Sequence, residues 1–142
     1  MHTTAVFLAL MLAALVGQQP PSSPTASTPL DFEAFRTKIQ PIFVAKRPGH
    51  ARCIACHGQG TPLRLQPLAA GSTTWNEEDS RKNFETIKRV VQPGNLKSKL
   101  LLHPLEEKAG GDFYHNGGKH FTSQNDPEWL TLKAFVLGQS GK

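Results

Sequence analysis

The stretch Cys53-Ile54-Ala55-Cys56-His57 decides how the rest of the chain is read, because it holds the only two cysteines and follows the second with a histidine. In a helical turn, residues three apart share a face. Both sulfurs then point to one side, and the imidazole follows beneath them. Thiols in that arrangement can form thioether bonds to the two vinyl groups of a haem, with His57 under the iron as proximal ligand. The pattern predicts one covalent haem c, with a backbone carbonyl fixing the tautomer of His57 through its other ring nitrogen. Three plainer uses compete. The cysteines could form a structural disulfide in an oxidising compartment. They could join His115 and His120 in a zinc site, since those histidines are spaced like the histidine half of a zinc finger. A thioredoxin-type dithiol would need a parallel sheet, for which the sequence shows no strand pattern.

Towards the N-terminus, an unbroken apolar run from Ala5 to Val16 precedes Gly17-Gln18-Gln19-Pro20-Pro21. That is the form of a secretory signal, and it falls short of the ~20 apolar residues that a membrane-spanning helix requires. Residues 1–17 therefore read as a signal peptide, with a retained anchor as the alternative. Its weak points are the missing Lys or Arg ahead of the run and a poor small-x-small cleavage site. Residues 18–29, QQPPSSPTASTP, contain nothing from which a core could be built and read as a linker. Residues 30–142 make one domain, in keeping with a total length of 142 residues. The expected location is exported, periplasmic or extracellular, with membrane association if the N-terminal segment stays.

All 16 basic and 11 acidic residues lie beyond the linker, so the formal charge of +5 belongs to the domain. A basic surface suits acidic proteins or anionic membranes, and it also serves solubility alone. No Lys/Arg block marks a nucleic-acid partner. With 12 Gly and 11 Pro, the fold should be rich in loops.

The periodic segments are helical. Asp31 caps a helix carrying Phe32, Phe35, Ile39, Ile42 and Phe43, interrupted at Pro41. Asn76 caps a second, with Glu77, Glu78 and Asp79 in its first turn and Phe84, Ile87, Val90 and Val91 along one face. Ser98 starts a short turn stopped by Pro104. Asp126 and Pro127 open the last helix, with Trp129, Leu130, Leu132, Phe135 and Val136 inside it and Gly138 at its end. Phe32, Phe35, Ile39, Leu130, Ala134 and Leu137 are expected to pack at the crossing of the first and last helices. Leu63, Leu65 and Leu68 are expected on the proximal side of the cofactor.

A helix ahead of CIACH, a long middle segment and a closing helix resemble the class I cytochrome c family. The succession PGNLKSKLLLHPL, HNGGKHF and DPEWLTLKAFVLG is similar to planctomycete- and acidobacterium-type monohaem cytochrome c modules, which carry PG-x-x-x-S-x-L-L, H-x-G-G and a terminal aromatic helix. The likeness spans about Leu30 to Gly138, is specific at Cys53, Cys56 and His57, and is architectural elsewhere. It implies an all-α fold in which N- and C-terminal helices pack around one covalent haem, with long loops. It also makes His115-Asn116-Gly117-Gly118 the distal loop. Phe135 stands where such modules often have Trp.

The methionines are Met1 and Met11, both in the leader, so no methionine is available as the sixth iron ligand. His115 is the preferred distal ligand, because its glycine-rich loop can approach a flat ring closely. His103 and His120 are the alternatives, while His50 lies just before the motif and is poorly placed for the far face. The function expected is electron transfer without catalysis, at a lower potential than Met/His ligation gives. Lys97, Lys99, Arg64 and Lys119 are candidates for attracting an acidic or membrane-bound redox partner. Two other classes compete: a haem enzyme or gas sensor with an open distal position, and a haem-bearing subunit of a larger membrane or extracellular complex, respiratory or photosynthetic.

Overall fold

In the computed structural model, which describes residues 28–140, Asp31 opens the first helix by accepting the Ala34 N–H on Oδ1 at 2.6 Å. The cap satisfies one of the N–H groups that a helix start leaves unpaired. The helix, α1, covers residues 32–44 in three pieces: α-helical Phe32–Ala34, π-helical Phe35–Ile39 and α-helical Gln40–Val44. Pro41 accounts for the middle piece. Its ring carries no N–H and would press on the carbonyl four residues back, so the ladder widens and the Gln40 N–H reaches the Phe35 carbonyl. The interruption expected at Pro41 is thus absorbed upstream, with Phe35, Ile39, Ile42 and Phe43 all buried. The signal peptide expected over residues 1–17, and the linker as far as residue 27, lie outside the described residues.

Four further helices follow: α2 (Cys53–His57), α3 (Glu77–Val90), α4 (Lys99–Leu102) and α5 (Pro127–Val136), with a 3-10 turn at Glu107–Ala109. Among the described residues there is no strand, only an isolated bridge between Leu105 and Phe121. The fold is all-α. No described helix is long and apolar enough to cross a membrane.

Asn76 caps α3 through Oδ1, which accepts the Asp79 N–H at 2.8 Å, and three acidic residues follow in the first turn. The inner face of α3 is partly polar. Asn83, fully buried, accepts the Gln66 N–H at 2.6 Å, while the Trp75 indole donates to the Gln66 carbonyl at 2.7 Å. Gln40 of α1 donates to Ser80 at 3.0 Å. The first two bonds tie the irregular segment between α2 and α3 to α3 and to itself, and the third ties α3 to α1, so a stretch without its own ladder still has a fixed path.

Asp126 caps α5 by accepting from both Glu128 and Trp129, and Gly138 ends it at φ +68°. A Cβ there would come within 2.6 Å of Thr28, so the position needs glycine for its backbone and for its neighbour. α5 crosses α1 where Phe35 meets Phe135, ring centroids 6.2 Å apart; Phe84 of α3 joins at 5.4 Å from Phe35. The buried face of α5 is Trp129, Leu132, Phe135 and Val136. The expectation for Leu130 is corrected: it is 44% exposed, and Ala134 and Leu137 are only partly buried. The Trp129 indole sets the rotation, since it must reach the Leu101 carbonyl of α4 at 3.1 Å.

Phe35→Ala is expected to destabilise the domain by about 3–5 kcal/mol through cavity formation, and Leu130→Ala to stay within about 0.5 kcal/mol of wild type. Urea unfolding followed by circular dichroism checks both.

Candidate functional site

α1, α2, α4 and the loop before Phe121 surround a cavity of about 490 Å³, within the ~300–1,000 Å³ typical of cofactor sites. Much of the wall is apolar, from residues such as Ile42, Phe43, Leu100 and Leu132. Cys53, Cys56 and His57 line it from α2; His103 and His115 line it from beyond α4. The motif and the preferred distal histidine therefore share one cavity.

His57 is fixed by the residues that follow it. Its Nδ1 lies 2.9 Å from the Leu63 carbonyl, which can only accept, so the proton sits on Nδ1 and Nε2 keeps its lone pair. Thr61 steadies the arrangement: its hydroxyl donates to the same carbonyl at 2.8 Å and lies 3.0 Å from Nδ1. Burial holds the imidazole below the ordinary histidine range, opposed by the Leu63 carbonyl and reinforced by His115 and His103. A neutral ring with a free Nε2 is the form that binds a metal. Of the three leucines expected on this side, Leu63 lines the cavity, Leu65 is fully buried, and Leu68 packs only partly against the core.

The cysteines differ from one another. Cys56 is exposed, whereas Cys53 is partly buried. Burial pushes the Cys53 thiol up, and Arg47, whose guanidinium is 3.7 Å from the sulfur, opposes that shift. Arg47 is itself held by Glu128 of α5 through Nε at 2.8 Å, by the Ile42 carbonyl at 3.2 Å, and by the Phe121 ring beneath it. Both thiols are free.

His115 sits on a loop whose two stems are pinned. Asp112 N–H donates to Leu102, and the His120 and Phe121 N–H groups both donate to Pro104. Gly111 lies so close to the Leu105 carbonyl that a Cβ would fall 1.9 Å from it, leaving glycine as the only residue that fits. Lys119 caps the loop by donating to the His103 carbonyl at 3.1 Å and to that of Asp112. Within the loop, His115 Nδ1 donates to the Gly118 carbonyl at 2.7 Å. Its Nε2, like that of His57, is free of that bond.

The His57 and His115 rings have centroids 6.2 Å apart with planes at 27°. Two metal–nitrogen bonds of about 2 Å, together with the ring radii, span about 6 Å between centroids. The spacing is compatible with a pair sharing one metal, and His115–His120 at 6.2 Å and His103–His115 at 5.8 Å are compatible with it too. His103 lies parallel to His115 at 5.8 Å. Asp112 Oδ2 lies 2.6 Å from its Nδ1, a contact that becomes an ion pair only when the ring is protonated, and that nitrogen has no hydrogen-bond partner. His120 is 8% exposed with an unpartnered Nδ1, and its ring centroid is 4.9 Å from His50 and 6.2 Å from His115. Among the described residues no group of three or more His, Cys, Asp or Glu is placed to hold a metal ion, so the thiols and His115 and His120 are not gathered as a zinc site would need.

Several contributors carried no signal in the sequence. Arg47 with Glu128, and Gly111 against Leu105, are contacts between separated segments. Thr61 had a weak one, as a hydroxyl one helical turn after His57. The four lysine and arginine candidates for partner attraction are not equivalent, because Lys119 is committed to the loop and Lys99 pairs with Asp112 at 2.9 Å.

Burial, Arg47, His50 and His115 lower His120 to about 4. The unfolded polypeptide binds this proton near pH 6.5 and the folded one only near 4, so stability is full above about 6.5 and falls as pH drops towards 4. The loss is on the order of 2 kcal/mol after allowance for solvent screening. Urea midpoints at pH 7 and 4.5 should therefore fall further for wild type than for His120→Gln, which has no proton to take up.

Comparison with protein-family models, with curated proteins and with solved structures finds no match to this sequence.

Proposed function

We propose that the domain is an exported monohaem c-type cytochrome of class I architecture that carries single electrons between proteins. Cys53 and Cys56 provide the thioether links, with His57 and His115 as the axial ligands. The observation that carries the proposal is the pair of imidazoles, each with its Nδ1 proton donated to a backbone carbonyl, 6.2 Å apart in the cavity lined by both motif thiols. A haem needs two cysteines on one side, a neutral proximal imidazole, a second donor at metal-sharing distance and apolar walls, and these residues meet each requirement.

Bound haem supplies a one-electron ferric/ferrous couple. The protein's part is to hold both ligands still and limit water, so that little rearranges when charge changes. Leu63 and Thr61 fix the His57 ring, Gly118 fixes His115, and Phe43 lies edge-on to His57 at 6.0 Å. With two imidazoles as axial donors, the potential lies below that of Met/His cytochromes. No reaction at the iron is required, so the role is that of a carrier rather than an enzyme. Partners would be acidic or membrane-bound redox proteins, met by the basic domain.

Expression in a periplasm equipped for haem c maturation tests the proposal. Wild type is expected to retain haem through denaturation, to give a c-type pyridine haemochrome, and to show a low-spin spectrum unaffected by carbon monoxide. Cys53→Ser with Cys56→Ser should lose covalent haem. His115→Ala should become high-spin and bind carbon monoxide. Wild type without covalent haem would sink the proposal, whereas a low-spin His115→Ala would move the distal ligand to His103 or His120.

A further inference from the structure

The distal loop contains a dipeptide whose chemistry is its own. Asn116-Gly117 is the only Asn-Gly in the sequence; the other asparagines precede Glu, Phe, Leu and Asp. Glycine matters at that position because it has no side chain to keep the backbone nitrogen away from the asparagine amide. Asn116 is exposed. Among the described residues the Gly117 N–H donates to nothing, although the neighbouring Gly118 N–H donates to the His115 carbonyl at 2.9 Å. The Tyr114 hydroxyl donates to Asn116 Oδ1 at 3.2 Å, which draws electron density from the amide carbon. A free nucleophile, a polarised electrophile and solvent access thus meet at one turn.

We propose that Asn116-Gly117 is a site of spontaneous deamidation, placed where its products loosen the hold on His115. The Gly117 nitrogen gives up its proton to water and attacks Asn116 Cγ. The new N–C bond closes a succinimide ring as the Cγ–Nδ2 bond of Asn116 breaks and ammonia leaves. Water then opens either ring carbonyl, giving aspartate or, where the backbone is rerouted through Cβ and Cγ, isoaspartate. Overall an amide and water become a carboxylate and ammonium, with no oxidant or reductant.

The turn is small enough for either product to matter. A Cβ added at Gly117 would lie 3.5 Å from His115 Cε1, so a change in the backbone joining Asn116 to Gly117 acts on the residue next to the imidazole. Isoaspartate also lengthens the backbone inside a turn closed by two bonds, His115 Nδ1 to the Gly118 carbonyl and Gly118 N–H to the His115 carbonyl. The ring closure itself needs no cofactor, although Tyr114, Asn116 and Gly117 also line the cavity. Its effect on a distal ligand rests on the cytochrome proposal.

Ageing of the full-length holoprotein at mildly alkaline pH tests both parts. Cleavage at Lys108 and Lys119 releases Ala109–Lys119, in which Asn116 is the only amide side chain. That peptide should gain the mass of an NH2-to-OH exchange and become a substrate for isoaspartyl methyltransferase, while peptides holding the other asparagines stay unchanged. Gly117→Ala, whose Cβ meets only ordinary contacts, should slow conversion several-fold. In wild type, the low-spin fraction should fall in step with conversion. An intact peptide, over a time in which the same free synthetic peptide converts, overturns the site. Conversion with an unchanged spectrum overturns the loosening. Haem content, measured separately, shows whether the cytochrome proposal itself has failed.

Discussion

Two carbonyl groups, those of Leu63 and Gly118, fix where the imidazole protons of His57 and His115 sit, and the rest of the site depends on that. A ring whose Nδ1 proton is given to a carbonyl presents Nε2 as a lone pair in a set direction. Helix carbonyls are already used along their own ladders, so the acceptors must come from irregular backbone. This explains why a small all-α domain leaves so much backbone outside helices, and why that backbone is tied down. Asn83 and Trp75 hold the segment beyond Leu63, while Pro104 and Leu102 hold the stems around Gly118.

The helices act as a frame for those loops. Aromatic packing of Phe35 on Phe84 and Phe135 joins α1, α3 and α5, and Trp129 links α5 to α4. Arg47 brings the frame to the motif. By bonding to Glu128 and the Ile42 carbonyl while approaching the Cys53 sulfur, it couples both long crossing helices to the first residue of α2. The arginine side of this pair is only 13% exposed, so desolvation offsets much of its Coulomb attraction. Its contribution is better understood as geometry, one planar group satisfying three partners at a junction.

The legible parts of the sequence were those governed by local chemistry. Asp31, Asn76 and Asp126 cap helices because a short side-chain oxygen next to a helix start can do little else as favourable, and Gly138 ends one because no other residue takes its φ cheaply. The motif was legible for the same reason, with its whole geometry inside one turn. What was not legible depended on distant partners. Leu130 and Trp129 are neighbours on an apolar helix, and only the Leu101 carbonyl decides which faces inwards. His103, His115 and His120 all follow α4 closely, and their separation is produced by the Pro104 carbonyl receiving two N–H groups, an event without a sequence pattern.

The two imidazoles are also held with unequal firmness. His57 belongs to a helix, its acceptor carbonyl is shared with Thr61, and Leu65 bonds back to its own carbonyl at 2.7 Å. His115 itself is held by the Gly118 turn, in a glycine-flanked loop whose stems are pinned at Leu102 and Pro104 and whose mouth is crossed by lysine contacts. Glycine permits the close approach but gives up the most backbone freedom on ordering. Local opening is therefore expected to cost less around His115 than around His57. Lys99 with Asp112, and Lys119 with two carbonyls, offset that difference. The glycines that admit the second imidazole to the cavity and the lysines that retain it are two halves of one constraint.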